Sequence, residues 1–75
     1  MNQISNCLGR LFFRKITSAD YEYQNTYMFG PLVVHLFWHV KAGASLLLVV
    51  SEHLGVGEIE VYQSGQVRSM RSYIC

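Results

Sequence analysis

Two histidines, His35 and His39, come closest in this chain to a pair that could bind a metal ion or a haem edge. On a helix, a spacing of four residues would stack both imidazoles on one face, where they could hold a metal ion or the edge of a haem. On a strand they would share a face but lie about 13 Å apart. Because no cysteine, histidine or carboxylate follows at a third ligand spacing, we expect no metal site. We interpret both histidines as polar residues on the outer side of a sheet.

Two pairs of neighbouring residues are the other candidates for acid–base chemistry. Glu58 and Glu60 would point to the same side of a strand and could divide the roles of acid and base, whereas Glu52 and His53 are merely adjacent. No Gly-x-Ser-x-Gly motif occurs, and Gly55-Val56-Gly57 lacks the lysine of a P-loop. We therefore predict a protein that is not an enzyme, with no catalytic residue, no cofactor and no small-molecule substrate. Glu58 and Glu60 are interpreted as solvated residues of an edge hairpin.

The two cysteines, Cys7 and Cys75, lie near opposite ends of the chain and form no Cys-x-x-Cys motif. They cannot build a zinc framework alone. The first residues also lack the long apolar core and cleavage site of a secretory signal. We expect free thiols in the cytoplasm or another reducing compartment, with a membrane location as the alternative. A disulfide between the two cysteines would require an oxidising compartment.

Composition limits the chain to a single small domain over residues 1–75. A chain of this length buries a smaller share of its surface than a typical domain does. Because 51% of the residues are apolar, we expect part of that surface to be buried against another copy, a partner or a bilayer. Six basic against five acidic residues give a net charge of +1, which disfavours nucleic acid as a partner.

The stretch over residues 31–50 can be read in two ways. Over residues 32–41 apolar and polar residues alternate, as a half-buried strand requires. As one apolar block of about 20 residues, the same stretch could instead form a single transmembrane helix around 31–51. We favour the sheet, because the alternation recurs over residues 21–27 and 58–62. The apolar parity comprises Leu32, Val34, Leu36, Trp38 and Val40, and the polar parity His35, His39 and Lys41.

Turn signals divide the rest of the chain into short elements. Residues 6–17 have apolar residues at helical spacing, yet residues 11–16 could equally start a strand, so we expect a short helix that runs into a strand. Residues 45–50 are almost wholly apolar and are predicted to form a central strand covered on both faces. Ser64-Gly65 is predicted to form the tight turn of a hairpin. The sequence therefore predicts a mainly β fold, a small antiparallel sheet or partial barrel of about five strands with a short N-terminal helix or strand.

Aromatic residues supply the predicted contact surface. Tyr21, Tyr23 and Tyr27 fall on one parity of their strand, and Trp38 is expected in the core or at an interface. Tyrosine and tryptophan are favoured anchors of protein interfaces, although tyrosines beside basic residues could also stack single-stranded bases. We therefore predict a non-enzymatic protein-binding or assembly module that associates with itself or joins a complex. The alternative is a single-span anchor or small subunit of a membrane complex.

Two local resemblances agree with these two alternatives. Trp38-His39-Val40, followed by residues 58–67 with their turn glycine, resembles the paired strands of concanavalin-like jelly rolls. That resemblance implies a sheet geometry without a sugar site. Residues 37–43 resemble the histidine-and-glycine stretch in a membrane-anchor helix of succinate dehydrogenase, although the Asp-Tyr that follows the glycine in that family is absent here. That second resemblance implies a membrane span.

Overall fold

A computed structural model of the protein describes residues 3–51 and 55–73, with side chains described from residue 9 onward. The five strands form one open antiparallel sheet in which they follow one another in chain order. The predicted mainly β fold of about five strands is therefore confirmed. The elements are α1 (Gln3–Thr17), β1 (Tyr21–Phe29), β2 (Leu32–His39), β3 (Ala44–Ser51), β4 (Gly55–Tyr62) and β5 (Val67–Tyr73).

The N-terminal element is a helix along its whole length, so the predicted strand over residues 11–16 is wrong. Leu11 is buried against the sheet and Phe12 packs beside it, whereas Phe13 is exposed. Near the end of α1, the hydroxyl of Thr17 donates a hydrogen bond of 2.6 Å to the carbonyl of Phe13. The helical spacing of the apolar residues determines the structure here, because it places them on one side of α1, which packs on the sheet.

The turns that follow β2 and β4 each depend on a glycine. Gly43 and Gly65 have φ angles of 63° and 93°, in the left-handed region that residues with a Cβ rarely adopt. Each glycine N–H closes its turn with a bond of 2.9 Å, from Gly43 to the carbonyl of His39 and from Gly65 to that of Tyr62. The predicted hairpin at Ser64-Gly65 is confirmed.

The alternative of a transmembrane helix around residues 31–51 is wrong. That stretch forms β2 and β3, which pair in an antiparallel register from Leu32 opposite Ser51 to His39 opposite Ala44. Among the described residues, no helix has both the length and the apolarity that crossing a bilayer requires. The alternation of β2 was therefore a better guide than the mean apolarity of the block.

The two faces of the sheet differ in what covers them. Residues directly opposite one another on neighbouring strands project to the same side, so the register assigns each side chain to a face. On one face α1 covers the core, in which Phe37, Leu46 and Leu48 are the largest fully buried side chains. No described element packs on the other, which we call the uncovered face. Its apolar side chains include Tyr27, Leu36, Trp38, Leu47, Val49, Ile59, Val61 and Met70.

The central position of β3 is confirmed, but its predicted burial on both faces is wrong. Over residues 44–50, the buried residues Ala44, Leu46, Leu48 and Val50 alternate with half-buried ones. Over this range the side of β3 that faces α1 is therefore the more buried one.

Candidate functional site

A cluster of polar side chains lies beneath the helix around Glu60, which is only 4% exposed. Its carboxylate accepts hydrogen bonds from the hydroxyl of Tyr21 (3.1 Å), from Nδ1 of His39 (3.0 Å) and from Nη1 of Arg68 (2.8 Å). The rings of Tyr21 and His39 stack with their centroids 4.4 Å apart. We call these four residues the Glu60 cluster. Because an ionised carboxylate can only accept, Nδ1 must be the protonated ring nitrogen of His39.

The Glu60 cluster ties together four of the five strands. Tyr21, His39, Glu60 and Arg68 come from β1, β2, β4 and β5, so the contact between His39 and Glu60 crosses over β3. At the crossing, β3 contributes Ala44, which lies opposite His39 and is fully buried. A methyl side chain at that position leaves room for the imidazole and the carboxylate to meet. The Glu60 cluster therefore links four strands through buried polar contacts within a mainly apolar core.

The electrostatics of the cluster keep the carboxylate charged and the phenol neutral. Burial alone would raise the pKa of Glu60, but the hydrogen bonds from His39 and Tyr21 and the charges of His39 and Arg68 lower this pKa below its ordinary value. Burial and the hydrogen bond to Glu60 raise the pKa of Tyr21 to about 12. At neutral pH the carboxylate of Glu60 is therefore an ionised acceptor surrounded by the hydrogen-bond donors of the cluster. A buried carboxylate needs this arrangement.

Glu58 and Glu60 share a face, as the sequence predicted, and the β4–β5 hairpin does lie at the edge of the sheet. Their interpretation as solvated residues is wrong. The Glu58 side chain is 11% exposed, and its Oε1 lies 3.7 Å from the ammonium of Lys15 on α1. That ammonium also lies 4.6 Å above the centre of the Tyr21 ring. Lys15 thus connects the last turn of the helix to the same buried polar region.

The expectation that His35 and His39 lie on the outer side of the sheet is also wrong. Both project toward α1: the His35 ring lies 4.8 Å from the ring of Phe12, and its Nδ1 lies 2.9 Å from the hydroxyl oxygen of Thr26. Burial lowers the pKa of His35. The two histidines do not converge on one site, and the residues that the structure describes contain no group of three metal ligands.

The three tyrosines of the predicted contact surface do not share a face. Tyr21 and Tyr23 lie under the helix, opposite His39 and Phe37, whereas Tyr27 lies on the uncovered face. The cause is a β-bulge between Tyr23 and Asn25, which adds one residue to β1 and reverses the parity of everything beyond it. The expectation of one tyrosine face is therefore wrong, and the partner-binding role of these residues stays a prediction.

Trp38 lies on the uncovered face with Tyr27. It is part of neither the fully buried set nor the core cluster, and it lies opposite Glu22 on β1. Within the five strands as described, Glu22 is the one charged residue that the register assigns to this face. At the periphery, Phe29 and Met70 are 60% and 69% exposed. Apart from Glu22 on the edge strand β1, the uncovered face is therefore a broad and mainly apolar surface.

Several sequence candidates lie outside the described residues. These are Glu52, His53, Cys75 and the side chain of Cys7. The expectation of free thiols and the interpretation of Glu52-His53 as a mere neighbouring pair stay predictions.

The comparisons with known proteins leave the chain without an assigned family. No protein-family model matches it, and neither a curated protein nor a solved structure does. Over residues 3–51 and 55–73, the architecture is a five-stranded antiparallel meander with one helix on one face and an uncovered apolar face on the other.

At alkaline pH the wild-type protein is expected to lose stability as the phenol of Tyr21 ionises. Replacing Tyr21 by phenylalanine should abolish this part of the loss. The folded pKa of about 12 lies above the ordinary value of 10. The contribution of this phenol is therefore complete below pH 10 and is lost as the pH rises through 12. After a discount for partial exposure, the wild-type free energy of unfolding should fall by about 1–2 kcal/mol over this window because of Tyr21. Urea unfolding at a series of pH values measures this fall in the free energy of unfolding. A Tyr21→Phe variant whose free energy of unfolding falls as steeply as that of the wild type between pH 10 and pH 12 would contradict the assignment.

Proposed function

We propose that this protein is a self-associating assembly module in which two copies pack their uncovered faces together. The observation that carries the proposal is the uncovered face itself, to which all five strands contribute apolar side chains. Monomeric proteins seldom leave a contiguous apolar patch of this kind in water. Two sheets pack face to face about 10 Å apart, with interdigitating side chains. The pair would form a four-layer sandwich with the two helices on the outside.

The area of the face suits a reversible dimer. The strands are seven to nine residues long. At about 3.3 Å per residue and about 4.8 Å between strands, the face measures roughly 26 Å by 24 Å, or about 600 Å². Two copies would bury about 1,200 Å² together, at the lower end of the range for stable interfaces. We therefore expect a concentration-dependent dimer rather than an obligate one.

The distribution of charge favours a second copy as the occupant. Glu22 lies on β1 at one edge of the face, so a two-fold arrangement brings no like charges together at its centre. Tyr27 and Trp38 would supply aromatic anchors, which are enriched at interfaces. A strongly charged partner would find no complementary group on the central strand.

Trp38 provides a direct measurement, because it is the single tryptophan of the chain. Sedimentation velocity over a range of concentrations should show monomer converting to dimer. The fluorescence of Trp38 should shift to shorter wavelength over the same range, as the indole leaves water. A monomer at every concentration, or a dimer that forms without any shift in the emission, would overturn the proposal.

A Leu47→Glu variant is expected to weaken association about 100-fold. Leu47 lies at the centre of the uncovered face, between Leu36 and Ile59, where two carboxylates would meet in the dimer. Like charges in such a position cost about 3 kcal/mol. The matched control is Met28→Glu, which adds the same charge at a 75% exposed position on the other side of the sheet. Circular dichroism confirms folding of both variants. Dimerisation of Leu47→Glu with wild-type affinity would contradict the proposed interface.

A further inference from the structure

The outward side of α1 carries a second unpartnered surface, formed by exposed residues of the last two turns. Phe13 and Ile16 are 66% and 46% exposed, although both are large apolar residues. Arg10 and Arg14 are exposed beside them. Arg10 lies one helical turn before Phe13 and Arg14, and Ile16 lies one turn after Phe13, so these exposed residues occupy the outward half of the helix. We call Arg10, Phe13, Arg14 and Ile16 the outer helix face.

The charge of this side of the molecule is positive. α1 contains three basic residues and no acidic one. Lys15 is directed toward Glu58, whereas the two arginines of the outer helix face form no ion pair with any described residue. Beneath the helix, the carboxylates of Glu58 and Glu60 are nearly buried and already face positive groups. The acidic residues on this side of the sheet therefore do little to offset the outward positive charge.

We propose that the outer helix face binds the surface of an anionic lipid bilayer. The guanidinium groups of Arg10 and Arg14 would pair with headgroup phosphates, and the side chains of Phe13 and Ile16 would enter the boundary between headgroups and acyl chains. Basic residues beside exposed apolar ones are the pattern of a helix that lies in the membrane interface. The helix lies flat on the bilayer in this arrangement and does not cross it.

Two observations favour a lipid surface over a purely stabilising role for these residues or a nucleic-acid ligand. A cation near the end of a helix interacts favourably with the helix dipole, which accounts for Arg14 but not for Arg10 or for an exposed phenylalanine. Binding of single-stranded nucleic acid would use aromatic rings for stacking, and Ile16 offers none. An aliphatic side chain beside Phe13 suits acyl chains better than bases.

Sedimentation of the full chain with lipid vesicles tests the proposal. Vesicles of phosphatidylcholine with phosphatidylserine should bind the protein, vesicles of phosphatidylcholine alone should bind it at least tenfold more weakly, and added salt should release it. Each arginine near such a surface contributes about a fivefold gain, so the Arg10→Ala/Arg14→Ala double variant should bind about 30-fold more weakly. Phe13→Ala should lose about tenfold.

Matched variants separate this surface from the rest of the molecule. The side chain of Lys41 is 79% exposed but faces Asp20 at 3.4 Å, so Lys41→Ala should change binding less than about twofold. Leu47→Glu should bind vesicles like the wild type, because it alters the opposite face of the sheet. Equal binding to both kinds of vesicle, loss of binding in Leu47→Glu, or tighter binding to single-stranded DNA that the arginine variants abolish would each overturn the proposal.

Discussion

Replacing Phe37 by alanine is expected to lower the free energy of unfolding by about 3–5 kcal/mol. The side chain of Phe37 is 0% exposed and lies at the centre of the interface between the helix and the sheet. Its ring meets the ring of Phe12 at 5.7 Å and that of Tyr23 at 5.6 Å, both edge to face. Alanine would remove these contacts and leave a cavity that the paired strands cannot close. A domain of this size has a total stability of about 4–11 kcal/mol, so the loss should be a large share of the total.

Urea unfolding followed by circular dichroism measures the loss. The matched control is Phe29→Ala, which removes the same atoms from a side chain that is 60% exposed. That control should lose less than about 1 kcal/mol, provided both variants are compared at a concentration where the wild type is monomeric. A loss below about 1 kcal/mol in Phe37→Ala would mean that α1 does not close this core.

The alternation of β2 predicted a strand correctly but could not predict which of its faces is covered. The more apolar face of β2, with Leu36 and Trp38, was expected to be the buried one. Instead, α1 packs on the opposite face, which carries His35, Phe37 and His39. Period-two alternation within one strand contains no information about where another element will pack. The decision depends on the register with β3, which places Leu46 and Leu48 beside Phe37. A histidine can then be buried because its polar atoms find partners from other strands.

The β-bulge of β1 shows a second limit of reading a single sequence. Tyr21, Tyr23 and Tyr27 share a parity in the chain, and one additional residue at Gln24 was enough to separate them. Gln24 and Asn25 lie on an edge strand, where exposed polar residues are expected in any case, so their identity does not mark the bulge. The number of strands, the central position of β3 and the β4–β5 hairpin could all be predicted, because each depends on local turns and apolar runs.

The Glu60 cluster was missed for a related reason. A carboxylate two residues from another in an alternating strand normally faces water. Contacts between residues that are distant in sequence reverse this expectation. The hydrogen-bond donors come from Tyr21, His39 and Arg68, and none of them is adjacent in sequence to Glu60. A possible signal was the small residue Ala44 at the start of the central strand, since a fully apolar core would favour a larger side chain there. No residue pattern within β4 alone distinguishes Glu60 from Glu58.

Replacing Glu60 by glutamine is expected to lower the free energy of unfolding at pH 7 by about 3 kcal/mol. Removing one partner of a buried ion pair is costly because the remaining polar groups stay buried without it. The amide retains the shape of the side chain but offers one acceptor oxygen in place of two, and its NH₂ group would face the donor at Nδ1 of His39. The control Glu22→Gln removes a carboxylate from an exposed position and should change stability by less than about 0.5 kcal/mol.

The pH dependence of the same variant distinguishes loss of charge from loss of packing. Because the folded pKa of Glu60 is lowered from its ordinary value of 4.5, the contribution of this carboxylate is present above pH 4.5 and is lost as the pH falls through the folded pKa. The stability difference between wild type and Glu60→Gln should therefore be largest near neutral pH and shrink on acidification. Urea unfolding at pH 7 and at successively lower values measures it. If the stability difference between wild type and Glu60→Gln stayed constant into acid, the amide would be disturbing packing. The charge of Glu60 would then not be what stabilises the contacts among β1, β2, β4 and β5.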